Sequence, residues 1–296
     1  MLNINISFTD FWEGHDPLNN IITNSLRYAL NCDVTITSPS EADICFVTVY
    51  GQSFKHVLTN FREKTILWLG ENIRPNTLTD GFSISFDFHS YGGKNFRLPL
   101  WFSEIDWFGT GLGVIDLDLV STRLVKPNSE SLDLEDREFC ITIFNNPEGT
   151  RLEALRILQG IDRVTCYGKP FGNWFPTYDS YQGKLAKMGG YLFNLCPENS
   201  LYPGYYTEKC IHAKLAGSIP VYMADPFVRH DFNPSSFINL NDYISLDHFS
   251  SFFRHLMSSK DSLQEYIKQP LLYRMPSLDS FYDFLRISTY SILSFP

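Results

Sequence analysis

Residues 196–209, CPENSLYPGYYTEK, place Glu198, Asn199, Tyr205, Glu208 and Lys209 between a strand-like run, YLFNL, and a helix-like run, CIHAKLAG. The spacing predicts Glu198 and Asn199 just past the carboxyl end of a strand, then a turn at Pro203 and Gly204. Thr207 is the expected N-cap, with Glu208 and Lys209 in the first helical turn and Gly217 as the stop. The unpaired N–H groups of a helix start, with their partial positive charge, suit a phosphate or diphosphate. Lys209 would add a full charge there, and Glu208 could accept hydrogen bonds from ribose hydroxyls. The same residues could instead do no more than cap a helix and expose a lysine to solvent.

The elements that would carry this segment alternate along the chain. INISF reads as a strand, and Asp16–Pro17 as the start of a helix running to about Leu30. DVTITS and DICFVTVYG are β-rich, SFKHVLTNFRE is helical, and KTILWLG is a buried strand. The pattern loosens after Pro99 and resumes at EFCITIFNN, a strand, with TRLEALRILQGI as a helix ended by Gly160. RVTCYG, YLFNLC and IPVYM complete a second set of strands, and KPFGNWFPTYDSYQGK reads as a polar aromatic loop. The βαβ rhythm predicts parallel sheets covered by helices. The expected division is an N-terminal Rossmann-like domain over 1–118, a linker over 119–137 and a second Rossmann-like domain over 138–262. A helical tail over 263–296 would pack back on the first half. Two such halves would leave a cleft, and ligands of open α/β sheets sit beyond the carboxyl ends of the strands.

Composition narrows the partners. The net charge of −9 over 296 residues gives no basic footprint for nucleic acid and no general attraction to anionic membranes. A phosphate-bearing ligand would need a few local cations. The six cysteines show no C-x-x-C spacing and several sit in apolar runs, as expected of reduced thiols in a cytoplasmic protein. No apolar run reaches the ~20 residues of a membrane span, and the N-terminus has no signal-peptide pattern, so no stable membrane insertion is expected.

Several stretches, in order, resemble the α1,3/4-fucosyltransferases of glycosyltransferase family 10. FNLCPENSLYPGYYTEKCIHAKLAGSIPVYMADP is similar to the family's donor-binding motif, and DFNPSSFINLNDY to the segment after it in bacterial members. FTDFWEGHD (8–16), GENIRP (70–75), FRLPLW (96–101) and FCITIFNNPEGTR (139–151) resemble the first strand-loop, the Gly-Glu-Asn-x-x-Pro element, its sequel and the opening of the second domain. The resemblance implies an α/β GT-B fold, with two Rossmann-like domains facing each other across a cleft. It implies a GDP-β-L-fucose donor, an oligosaccharide acceptor containing GlcNAc or glucose, and inversion at the anomeric carbon. It also implies roles. Arg151 and Lys209 would hold the diphosphate, Asn199, Tyr205 and Glu208 would contact the nucleotide sugar, and Glu71 would be the general base. On its residues alone, Glu71 is a turn carboxylate suited to pairing with Arg74. No metal motif is evident and no cofactor is expected, so cations and backbone dipoles would stabilise the departing GDP. Relatives usually carry Trp-Gly where this chain has Met223-Ala224, and often Asp-Phe-Asn where Pro75 is followed by NTLTDG.

Weaker signals lie outside these motifs. Trp12 could stack on an acceptor sugar, with Glu13 or His15 bonding its hydroxyls, or it could be a tryptophan at the core edge. Asp116-Leu117-Asp118 has the D-x-D form of metal–nucleotide sites but falls where the linker-like segment begins, outside the candidate strand-end sites. Gly109, Gly111 and Gly113 lack dinucleotide-loop spacing and read as a turn. The loop 169–178 could close over a nucleotide.

Overall fold

The computed structural model describes residues 2–128, 134–147, 149–173 and 180–294. The chain forms two compact units: one runs through Val114 and takes up the chain again from Pro276, and the other spans Ile115–Met275.

The first unit is built on β1 (Leu2–Thr9), β2 (Cys32–Ile36), β3 (Ile44–Val47), β4 (Thr65–Trp68), β5 (Phe82–Ser85) and β6 (Asn95–Arg97). All pair in parallel, in the order β2-β1-β3-β4-β5-β6, so the strand order reverses at β1. Helix α1 (Ile21–Leu30) links β1 to β2 and α2 (Phe54–Asn60) links β3 to β4. The helix expected from Asp16–Pro17 starts later. Asn20 caps it by accepting from the Thr23 N–H at 2.9 Å, while Asp16 accepts from the Leu18 N–H in a preceding turn. Pro17 therefore belongs to the loop, and Ile21, Ile22 and Leu26 begin the buried face. Strand β5 follows the alternating run FSIS, a strand signal not used above, and β6, with three residues, is too short to show a period.

The second unit opens with a short helix, α3 (Leu117–Leu119), that runs into a π-helical turn, Val120–Val125. Asp116 caps it, accepting from the Leu119 N–H at 2.6 Å. The first aspartate of the D-x-D is thus a helix cap. Val120 and Leu124 are fully buried, so the described part of 119–137 packs as a structural element of this unit. Then come β7 (Glu138–Ile143), α4 (Thr150–Gln159), β8 (Val164–Tyr167), α5 (Tyr181–Gly189), β9 (Tyr191–Leu195), α6 (Lys209–Leu215), β10 (Ile219–Tyr222), β11 (Ile238–Asn239), α7 (Leu246–Met257) and α8 (Lys260–Lys268). The sheet is parallel, in the order β11-β10-β9-β7-β8, and reverses between β7 and β9. Helix α5 starts inside the stretch expected to be loop: Ser180 caps it through the Gly183 N–H. Residues 174–178 of the loop 169–178 lie outside the described residues.

Helix α9 (Asp279–Leu293) returns to the first unit, where Phe281, Phe284, Leu285 and Ile292 join the core of β1, β3, β4 and α1. Residues 263–275 of the expected tail stay in the second unit.

Candidate functional site

The reversal between β7 and β9 is where an open α/β sheet offers a crevice beyond its strand ends. A cavity of ≈ 310 Å³ lies there, lined by Asn145 and Asn146 after β7, by Asn194 to Cys196 at the end of β9, and by Arg151, Lys184, Asn199, Glu208, Lys209 and His212. Four of the five donor-side residues singled out from sequence therefore share one cavity. Tyr205 does not line it. It is buried, 4% exposed, in the turn beneath.

Arg151 owes its place to the start of α4. Gly149 holds φ +60° at the cap, and a Cβ there would come within 2.8 Å of the Asn199 carbonyl oxygen, so the close approach favours glycine. Thr150 Oγ1 donates to the Glu198 carbonyl at 3.2 Å. Arg151 Nε donates to the Pro197 carbonyl at 3.3 Å and Nη1 to the Asn146 carbonyl at 2.9 Å. The guanidinium also lies over the Phe144 ring, 5.5 Å from its centre. Its Nη2 has no hydrogen-bond partner among the described residues. Burial pulls the guanidinium below its usual pKa, and Glu198, Tyr205 and Glu208 oppose that.

The start of α6 differs from the expectation in an instructive way. The cap position is Glu208, one residue beyond Thr207, and the helix has seven residues. The Thr207 N–H donates to Glu198 Oε1 at 2.8 Å, so one amide expected to face a phosphate is taken up internally. Glu198 is the hub of this corner. Its carboxylate, 3% exposed, accepts from the Thr207 hydroxyl at 2.9 Å, from Lys209 Nζ at 3.0 Å and from the Tyr222 hydroxyl at 2.7 Å. Lys209 Nζ donates also to Thr207 Oγ1 at 2.7 Å and to Glu208 Oε1 at 3.2 Å. Burial lowers the lysine's affinity for its proton, but Glu198 and Glu208 outweigh it and hold the pKa above its usual value. Burial likewise opposes ionisation of Glu208, and Lys209, His212 and Lys184 outweigh it, holding that carboxyl well below the usual range. Both groups are charged at neutral pH.

Sequence reasoning gave Glu198 no role and missed Lys184 and His212. Glu198 could have been found as an acid three residues past a fully buried strand, where a carboxylate needs buried partners. Lys184 was hidden because α5 was taken for loop. Ser180 as cap, with Tyr181, Leu185 and Met188 at helical spacing, was the available signal.

In the first unit, Glu71 follows β4 and is half-buried. The sequence alternative was a pair with Arg74. Instead Arg74 reaches Asp87 at 3.5 Å, bonds Asn72 and stacks on the Phe86 ring at 4.5 Å. Among the described residues the Glu71 carboxylate has no hydrogen-bond or ion-pair partner. A second cavity, also ≈ 310 Å³, lies beyond β1, lined by Phe11, Trp12, His15, Asn19, Trp68 and Phe102 among others. Trp12 is 46% exposed. His15 packs its ring against Phe11 at 4.4 Å and Phe8 at 4.8 Å, and its Nε2 is buried without a partner among the described residues. Burial pushes the imidazole below its usual pKa against the pull of Asp16. Glu13 is exposed and does not line the cavity. The glycine turn is held by Asp106, whose carboxylate accepts from the Thr110 and Gly111 N–H groups at 3.0 and 2.8 Å.

At the departures from the expected motif, Ala224 is buried, its N–H donating to Asn239 Oδ1 at 3.0 Å, and Met223 packs on the core. Among the described residues no group of three His, Cys, Asp or Glu is arranged to hold a metal ion, and no helix is long and apolar enough to cross a membrane.

Residues 6–103 match the model of the α-(1,3)-fucosyltransferase FucT N-terminal domain, and residues 136–281 that of the glycosyltransferase family 10 (fucosyltransferase) C-terminal region. The chain is 25% identical to the α-(1,3)-fucosyltransferase FucT of Helicobacter pylori, over 96% of this chain and 63% of that protein. It is 32% identical to the bovine 4-galactosyl-N-acetylglucosaminide 3-α-L-fucosyltransferase 9, over 40% of this chain and 31% of that one. The chain thus spans less than two thirds of the length of these relatives. A crystal structure of an α1,3-fucosyltransferase superposes with a TM-score of 0.74 over 98% of this chain and 90% of that one, at 23% identity. A second, with GDP-fucose, gives 0.68 over 99% and 91%. This likeness shows the fold, the two Rossmann-like α/β domains of GT-B.

Proposed function

The chain belongs to glycosyltransferase family 10, the fucosyltransferases, and on that footing we propose that it transfers L-fucose from GDP-β-L-fucose to a hydroxyl of a GlcNAc- or glucose-containing oligosaccharide, with inversion. The observation that carries this reading is the cavity at the β7/β9 reversal, where Arg151, Asn199, Glu208 and Lys209 converge. Departure of GDP builds negative charge on the diphosphate. Arg151, with Nη2 uncommitted, and Lys209, fixed by Glu198, are placed to stabilise that charge without reorganising. Glu208, held ionised, accepts hydrogen bonds from the ribose diol. These cations do the work that a metal does in other transferases, so the activity is expected to persist without one. Glu71 takes the proton of the attacking hydroxyl, and its carboxylate, unpaired within the protein among the described residues, has its lone pairs ready for that task. Trp12 and His15 offer an aromatic face and an unpartnered ring nitrogen to an acceptor sugar, and Glu13, at the exposed edge, contacts it from outside the cavity. Tyr205 acts from below by shaping the turn that carries Glu208. We place the reaction in the cytoplasm, in surface-glycan assembly, as the acidic chain with buried thiols suggests.

The test is mass-spectrometric detection of transfer from GDP-fucose to an N-acetyllactosamine probe with EDTA present. A product heavier by one deoxyhexose supports the reading. No product across a panel of nucleotide sugars, from protein that binds GDP, would favour a non-catalytic nucleotide-sugar binder.

A further inference from the structure

Glu71 leaves β4 in the run GENIRP, three residues before an arginine. The Ile73 N–H donates to the Glu71 carbonyl at 2.7 Å, which closes the turn between the two. A guanidinium can bind a carboxylate through two parallel hydrogen bonds. Such a pair on Glu71 would cancel its charge and fill the lone pairs that a base needs. The structure gives the arginine another carboxylate. Strand β5 lies beside β4 in parallel, Trp68 against Ile84, so the chain leaves both strands at the same end of the sheet. Asp87 follows β5 and is 1% exposed. Arg74 Nη1 lies 3.5 Å from Asp87 Oδ2, and the guanidinium rests over the Phe86 ring and bonds Asn72.

Asp87 is itself built in. Its Oδ2 accepts from the Tyr91 hydroxyl at 2.6 Å and its Oδ1 from the His89 N–H at 3.1 Å. Asn95 on β6 donates to the carbonyls of Asp87 and His89 at 3.1 and 2.8 Å, and accepts from the hydroxyls of Ser83 and Ser85. The Asp87 carboxylate is thus fixed by its neighbours, whereas Glu71 is half-buried in a turn. A satisfied, buried acceptor is the better host for a partly buried guanidinium, because breaking a buried charge pair is costly. Resting on the reading of Glu71 as the base, we propose that Asp87 is a positioning residue for the transfer reaction. It draws Arg74 off Glu71 and so keeps the charge and lone pairs of the base for the acceptor hydroxyl. Its part is played through Arg74 and not by contact with substrate.

Rates of transfer from GDP-fucose to N-acetyllactosamine, with GDP affinity by calorimetry as the check on folding, test this in variants of the full chain. Asp87→Asn keeps the shape and removes the charge. It should lower kcat about tenfold and leave GDP affinity as in wild type. Adding Arg74→Met to Asp87→Asn should recover most of that loss, because the competing cation is gone. In a Glu71→Gln background, Asp87→Asn should cost nothing further, since the base it serves is absent. An aspartate that only braces the fold would lower the residual rate there as well. Phe86→Leu keeps Asp87 and removes the ring beneath the guanidinium. It should lower kcat about threefold, again only while Glu71 is present, and it carries the test if Asp87→Asn does not fold. Wild-type kcat in both Asp87→Asn and Phe86→Leu, or an equal loss with and without Glu71, overturns the inference. Full kcat in Glu71→Gln alone would instead overturn the reading of Glu71 as the base.

Discussion

Two cavities of one volume, ≈ 310 Å³ each, sit on the carboxyl-end side of the two sheets, and they are made of opposite materials. The cavity of the second unit is ringed by Arg151, Lys184, Glu208 and Lys209, and its charges are cross-linked through Glu198 before any ligand arrives. The cavity of the first unit is ringed by Phe11, Trp12, Trp68 and Phe102, and its polar members include a ring nitrogen, His15 Nε2, without a partner among the described residues. Nearby in sequence, Glu71 is equally without a partner among the described residues. The contrast follows from what each unit is proposed to hold. A diphosphate needs fixed, desolvated charge, which is stable only when the protein pairs it in advance. A neutral sugar needs a flat apolar face and a few hydrogen-bonding groups kept available.

This contrast can be broken experimentally. Glu71→Gln is expected to lower kcat by about 10²–10⁴ while leaving GDP affinity unchanged. An equal loss in GDP binding would place Glu71 on the nucleotide side. Lys209→Met should weaken GDP binding and lower kcat/KM by about 10²–10³. If steady-state kinetics show a change in acceptor KM alone, the polar cavity is not the donor site. Glu198→Gln keeps the shape but removes the charge that holds Lys209. GDP affinity should fall about tenfold, with about 1–3 kcal/mol of stability lost in denaturant titration. Trp12→Ala should raise acceptor KM about three- to tenfold with little change in GDP affinity.

An effect on stability alone concerns a charge the second unit buries without a carboxylate partner. Lys214, 8% exposed, donates to the Tyr266 carbonyl at 2.7 Å, and burial lowers its pKa to about 7 from the 10.5 of a free lysine. Between these values the unfolded chain binds the proton and the folded one does not, so stability rises with pH from about 7 upward. Below about 7 the folded protein carries the buried ammonium and the full cost is present. Lys214→Met should therefore melt higher than wild type at about pH 6, by on the order of 2 kcal/mol, and the advantage should shrink toward pH 10. A pH-independent difference would mean that Lys214 keeps its ordinary pKa.

The polar cavity was the more legible in the sequence, and the reason is physical. Most of its residues come from two segments, 143–151 and 194–212, that meet because β7 and β9 are neighbours, so apolar strand runs followed by charges mark it directly. What escaped notice was the part supplied by α5, whose helical signal starts inside a glycine- and aromatic-rich stretch. The duty of Glu198 escaped too, because its partners, Thr207, Lys209 and Tyr222, are set by tertiary packing. The aromatic cavity draws on 11–22, 68, 102–105 and 111–112, so no single window of sequence shows it. Strands β1 to β4 were visible as β-branched and aromatic runs; β5, as long as β3 and β4, was overlooked because its apolar residues alternate with serines, and β6, with three residues, was too short. The start of α1 was misjudged because Asp16–Pro17 forms a turn that imitates a helix start, four residues before the true cap at Asn20.

The central claim is that the charged cavity holds the nucleotide while Glu71 serves the other substrate. Side-by-side calorimetric titration of GDP into wild type, Lys209→Met and Glu71→Gln tests it most directly. The account predicts wild-type affinity in Glu71→Gln and a loss of about a hundredfold in Lys209→Met. GDP binding that survives Lys209→Met unchanged, or that disappears in Glu71→Gln, would contradict it.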